Sequence, residues 1–137
     1  LFVLSNPPVL QLAFIQNEKT QIISTDIGRC LQNIPGREAI SFVHKISGHE
    51  WLIKQFDMKT RQAAPLLQTL AGSEDYAWTP VASLLMAQGT KLYQWHPSRD
   101  KDWQEVADFA EAGLSNITRL AVSPKGNWLA LVAAETR

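Results

Sequence analysis

The sequence predicts an all-β fold: an arc of about three four-stranded antiparallel blades of a β-propeller, incomplete as a single chain. Three observations carry this reading. Proline recurs at positions 35, 80 and 124, spacings of 45 and 44 residues, each time shortly after an apolar residue and before a short apolar strand. Between these landmarks lie alternating strands followed by polar, hairpin-like turns. Several strands are apolar on both faces, among them Leu84-Leu85-Met86-Ala87 and Leu129-Ala130-Leu131-Val132. A lone four-stranded sheet covers neither face, whereas radial stacking of blades buries both and leaves only short protected edges.

With the strands of a blade lettered a to d from axis to rim, each element follows in order. The chain opens on a b strand at 1–4, with c at 9–15 and d at 20–24. The next blade has a at 30–34, b at 39–45, c at 50–57 and d at 63–68. The one after it has a at 75–79, b at 83–87, c at 91–95 and d at 103–108. An a strand at 117–123 and a b strand at 128–133 complete the count. As domains, 1–28 is a partial blade, 29–72 and 73–113 are blades, and 114–137 is a partial blade. Trp103, Val106 and Phe109 recur at helical spacing, but the repeat argues for a strand there.

The ends are out of phase, with b-c-d at the front and a-b at the back. Self-association, or further blades from a longer parent chain, is therefore expected. Leu1-Phe2-Val3-Leu4 breaks at Asn6-Pro7-Pro8 without an initiator methionine, a basic region or a cleavage site, so it does not read as an intact signal peptide. The sequence reads instead as a fragment, a C-terminal one by the resemblance given below.

Composition narrows the function. Thirteen basic and thirteen acidic side chains cancel, which removes the charge excess that nucleic acid or an anionic membrane surface requires. No nucleic-acid partner is expected, and no run reaches the roughly 18 apolar residues of a membrane span. Cys30 is the sole cysteine, which rules out an intrachain disulfide and a thiolate cluster.

Val122-Ser123-Pro124-Lys125-Gly126-Asn127-Trp128-Leu129-Ala130-Leu131-Val132 resembles the a-b hairpin of the TolB-like propeller repeat. Trp78-Thr79-Pro80 followed by Lys91-Leu92-Tyr93-Gln94-Trp95 matches the same scheme, and Ile34-Pro35-Gly36-Arg37 with Ile40-Ser41-Phe42-Val43 is a degenerate copy. The motif serves turn chemistry: proline fixes φ entering the turn and glycine supplies the positive φ that closes it. Lys125 stands where the family has aspartate, and Val81-Ala82 replaces Asp-Gly, so the second hairpin is expected to turn differently. The resemblance implies a binding or scaffold propeller of the bacterial envelope, periplasmic in location, or alternatively the propeller lid of a prolyl-oligopeptidase-like serine peptidase whose catalytic domain lies elsewhere.

Catalytic signatures are missing, and no enzyme activity is expected. There is no Gly-x-Ser-x-Gly elbow, and Ser41, Ser83 and Ser123 belong to the repeat hairpins. His44, His49 and Glu50 flank a turn rather than sharing one helix face, so they read as a hairpin and not a metal site. His96 reads as a turn cap and Cys30 as a small strand residue. Trp78, Trp95 and Trp128 occupy repeat positions and are expected in blade packing, as are Trp51 and Trp103. No cofactor and no metal are implied. The binding candidates are polar residues of the loops entering the inner strands: Asp26, Arg29, Glu74, Asp75, Asn116 and Arg119.

Overall fold

The computed structural model describes residues 2–5, 11–46 and 51–135. The described residues form strands and turns, with no α-helix among them. Strands β1 (Phe2–Ser5), β2 (Gln11–Gln16) and β3 (Lys19–Thr25) make a three-stranded sheet in that order. β4 (Ile27–Asn33), β5 (Ala39–His44), β6 (Leu52–Asp57) and β7 (Gln62–Gln68) make a four-stranded sheet, again in chain order. β8 (Tyr76–Trp78), β9 (Leu84–Gln88), β10 (Lys91–Trp95) and β11 (Gln104–Asp108) repeat it. β12 (Leu114–Val122) and β13 (Leu129–Glu135) form a two-stranded sheet. Every neighbouring pair is antiparallel. The fold is all-β, built from blade-type meanders as the repeat requires. The segment with helical spacing is β11, where pairing to β10 overrides the three-residue apolar recurrence.

The repeat extends to the defects. Each outer pair slips by one residue: β2/β3 between Leu12 and Ala13, β6/β7 between Ile53 and Lys54, and β10/β11 between Leu92 and Tyr93. Such a bulge adds twist and bends the edge strand away from sheet-to-sheet pairing. Pro65 sits at the slip in β7, an edge strand, the place in a sheet where a residue without an N–H is tolerated.

The a-b turns vary on one plan. Gly126 N–H donates to Ser123 O at 2.8 Å and Ala82 N–H to Thr79 O at 2.9 Å, each closing a four-residue turn. In both, the residue after the turn's centre is left-handed, Gly126 at φ 74° and Ala82 at φ 61°. The second hairpin thus keeps the turn with alanine in the glycine seat. It closes one residue sooner, since Thr79 N–H reaches Ser83 O at 2.8 Å whereas Ser123 N–H reaches Trp128 O at 3.0 Å. In Ile34-Pro35-Gly36-Arg37 the left-handed residue is instead Gly36, the third position, as in a type II turn.

Two compact units emerge: Leu1–Asn33 with Glu38–Thr69, and Ile34–Arg37 with Leu70–Arg137. In the first, Leu12, Phe14, Ile27, Ile40, Phe42 and Phe56 form a buried cluster with Phe2, Ile23, Leu31 and Met58 against it. The Phe14 ring lies 5.1 Å from Phe2 and 5.6 Å from Phe56, and Phe2 meets Phe56 edge-on at 6.1 Å. Each such pair adds about 1 kcal/mol beyond area burial. Arg61, left-handed at φ 57°, closes the β6–β7 turn and places its guanidinium 5.6 Å over the Phe14 ring. It also donates to the Gln16 side chain, while Gln21 Nε2 donates to Arg61 O at 3.3 Å.

In the second unit Ala87, Leu92 and Ile117 are buried, with Leu85, Phe109, Leu120, Leu129, Leu131 and Ala133 packed around them. β12 lies along β8 and β9. The core tryptophans divide. Trp78 and Trp95 are buried as expected, and Trp51 and Trp103 are half-buried. Trp128 is a correction, being 76% exposed at the head of β13, because no further sheet covers that face among the described residues.

Candidate functional site

The six loop candidates fall in both units. Asp26 and Arg29 belong to the first. Asp26 is exposed, takes φ 54° between β3 and β4, and accepts Lys45 N–H on its carbonyl at 2.6 Å. Arg29 is exposed on β4. Its position is irregular: Ile27 pairs with His44 and Leu31 with Phe42, so β4 advances four residues while β5 advances two.

Glu74, Asp75, Asn116 and Arg119 belong to the second unit. The loop carrying Glu74 and Asp75 is tied to β9, with Ser73 Oγ donating to Ala87 O at 2.8 Å and Gln88 Nε2 donating to Ala71 O at 2.9 Å. Both acids are half-buried just ahead of β8. Asn116 and Arg119 are exposed on the neighbouring β12. There Ser115 pairs with Ala134 and Arg119 with Val132, again four residues against two. Asn116 takes φ 48° inside this stretch. The inner strands β4 and β12 therefore carry the same two-residue excess, and four of the six candidates, Asp26, Arg29, Asn116 and Arg119, stand in or beside it. Bulges of this kind redirect side chains and concentrate at functional edges.

His44 closes β5 beside this region of the first unit. Burial holds its pKa below the ordinary 6.5, the Lys54 ammonium lowers it further, and the Asp26 carboxylate works in the opposite direction. His49 and Glu50, considered with it in sequence, lie outside the described residues. Among the described residues no three His, Cys, Asp or Glu side chains gather as a metal set. Cys30 is half-buried in β4, and Gln32 Nε2 lies 3.2 Å from its sulfur.

The serines are structural. Ser83 is fully buried, its hydroxyl 2.6 Å from Thr79 Oγ1 and 2.9 Å from Gln94 Nε2, which satisfies it. Ser123 Oγ accepts Trp128 N–H at 3.0 Å, the counterpart of Thr79 Oγ1 accepting Ser83 N–H at 3.2 Å. In the loop after β10 the cap is Asp100 rather than His96. The Asp100 carboxylate accepts His96 N–H at 2.9 Å, and that bond and Arg99 hold its pKa below the usual carboxylate value. The His96 ring bonds the Ser98 hydroxyl at 2.9 Å.

Sequence reasoning missed one surface. On β13, Leu129, Leu131 and Ala133 pack inward, so Ala130, Val132 and Ala134 face outward with Trp128 above them. Register sets Arg119 opposite Val132 and Ala121 opposite Ala130 on the same outward face. An open hollow of about 270 Å³ lies there, lined by Arg119, Leu120, Ala121, Ala130, Leu131 and Val132. Val132 is 56% exposed. The readable signal was a strand apolar on both faces, Leu129-Ala130-Leu131-Val132.

No protein-family model and no curated protein matches the sequence. Among solved structures, the crystal structure of TolB from Acinetobacter baumannii superposes with a TM-score of 0.66 at 16% identity, over 98% of this chain and 35% of that one. The chain thus spans about a third of the TolB structure. At this identity the likeness speaks for fold, and it agrees with the repeated hairpins, the strand order and the bulges: the chain has the TolB-like β-propeller fold, in incomplete form.

Proposed function

We propose that this chain is a binding or scaffold module of the bacterial cell envelope, without catalysis of its own, that takes a protein partner on the irregular entries to its inner strands. The observation that carries the reading is the repeated excess in β4 and β12, which sets Arg29 and Asn116 on irregular backbone and leaves both, with Arg119, exposed. Bulges re-aim side chains and are over-represented beside functional sites, and binding residues concentrate on loops held by a rigid scaffold, which supports the reading. The likeness to TolB supports an envelope setting.

The test is photo-crosslinking from position 116 in cells producing the native gene product, followed by fractionation. One defined protein should be trapped in the periplasmic fraction. Replacing Arg119 with alanine should lower the yield about tenfold, while stability moves by no more than about 0.5 kcal/mol, as for an ordinary surface change. A cytoplasmic product, or a yield indifferent to Arg119, overturns the reading.

A further inference from the structure

The entry to β4 is tied to β5 through His44 and its neighbour. Ile27 pairs with His44, and the next pair in register is Leu31 with Phe42, so Gly28, Arg29 and Cys30 span the excess between them. Beside the Ile27–His44 pair, Lys45 N–H donates to Asp26 O at 2.6 Å, and Ile46 N–H donates to His44 O at 3.1 Å. Ile27 is the apolar anchor of this end, 3% exposed and part of the cluster with Leu12 and Phe14. Arg29, two residues on, is exposed.

His44 itself is half-buried, and its Nδ1 is buried with no hydrogen-bond partner among the described residues. A neutral imidazole can leave one nitrogen bare as an acceptor, whereas an imidazolium carries N–H on both. Protonation within the closed strand pair therefore creates a buried, charged and unmatched donor. Among the described residues two charged groups act on the ring: the Lys54 ammonium from β6 and the Asp26 carboxylate from the turn before β4. Lys54 pairs with Phe42, two residues from His44 on β5, which puts it on the same face of the sheet. Lys45, next in sequence, has its ammonium 4.7 Å over the Trp51 ring.

We propose that His44 is a proton-operated latch: neutral, it keeps the start of β4 closed on β5, and protonated, it frees that start so that the irregular entry carrying Arg29 opens. Opening gives both ring N–H groups access to water and relieves the repulsion from Lys54. Its direction with pH follows from linkage. The closed form holds the ring's pKa below the 6.5 of a solvated histidine, so the open form takes up the proton first and acid favours opening. That the latch governs partner docking rests on the recognition role proposed above, whereas the opening itself does not.

Amide hydrogen exchange of the 137-residue chain alone, with the His44 ring C–H signals followed in parallel, tests the latch. No partner is present, so failure of the recognition reading leaves this measurement untouched. Protection factors, which already discount the intrinsic pH dependence of exchange, should fall about fivefold at residues 27–31 between pH about 7.5 and 5.5. The ring midpoint should lie below 6.5, and β9 and β10 should keep their protection. His44→Gln should abolish the fall. Should that variant not fold, two charge changes of opposite sign carry the test. Asp26→Asn keeps a residue that tolerates φ 54° and removes the charge favouring the closed imidazolium, so the fall should grow towards about tenfold. Lys54→Gln removes the opposing charge and should shrink it to about twofold. Protection at residues 27–31 that stays level, that falls as far in His44→Gln, that falls equally in β9 and β10, or that ignores both charge changes would overturn the latch.

Discussion

Gly126 is held by two constraints at once. Its φ of 74° disfavours any residue with a Cβ, and a Cβ built there would lie 3.0 Å from Pro80 Cδ and 3.1 Å from Cγ. The ring belongs to the preceding repeat turn and cannot swing aside like a long side chain. Gly126→Ala is therefore expected to cost about 1–2 kcal/mol, the left-handed penalty plus local displacement. Ala82 occupies the equivalent seat at φ 61°, so Ala82→Gly should be neutral or gain up to about 0.5 kcal/mol after glycine's extra chain entropy. Urea midpoints at unchanged m-value measure both, and equal midpoints for Gly126→Ala and parent would refute the turn geometry. His44 gives a pH dependence of definite sign. Its folded pKa lies below the unfolded value near 6.5, so the unfolded chain takes up the proton first. Stability should fall as pH drops through 6.5 towards the depressed folded value and level off below it. His44→Gln should remove that part of the slope, and a slope unchanged between pH about 7.5 and 5 in the variant would assign it elsewhere.

Between strands, the β6–β7 turn is fixed by a few polar contacts. Asp57 Oδ1 accepts Lys59 N–H at 2.8 Å and Thr60 N–H at 3.0 Å, and Arg61 then turns left-handed and reaches the β2–β3 hairpin. Arg61→Ala removes a side-chain hydrogen bond and a cation–ring contact, and should cost about 1 kcal/mol. Hydrogen exchange should quicken in β2 and β3 while β8 to β11 stay as they are, and exchange unchanged in β2 would refute the link. This scale also shows what a sequence can disclose. Leu92-Tyr93-Gln94-Trp95 and Leu52-Ile53-Lys54-Gln55-Phe56 announce c strands, because alternation and the turn residues are properties of one segment. The excess residues of β4 and β12 were not legible, because a bulge is a mismatch between two segments and neither alone records it. The loops around Asp26 and Asn116 could be named as inner-strand entries from the repeat. Their left-handed backbone could not, although Asn and Asp are the residues that tolerate it best. Trp128 misled for a related reason: its repeat position implies a neighbouring sheet, and burial depends on whether that sheet is present.

Each compact unit carries its own apolar cluster, centred on Phe14, Phe42 and Phe56 in one and on Ala87, Leu92 and Ile117 in the other. Repeat folds are stabilised mainly by neighbouring sheets, so damage to one cluster should remain local before it becomes global. Phe56 is 1% exposed and packs on two other rings, and Phe56→Ala should cost about 3–5 kcal/mol. Native-state hydrogen exchange should then lose protection across β2, β5 and β6, with β9, β10 and β12 retaining most of theirs. Leu92→Ala, from a site 6% exposed, should produce the reverse pattern at a cost of about 2–5 kcal/mol. A chain that folds in one indivisible step would instead lose protection everywhere alike in both variants. That result would mean the two clusters share a single cooperative transition, and it would contradict the local reading of stability drawn from the repeat.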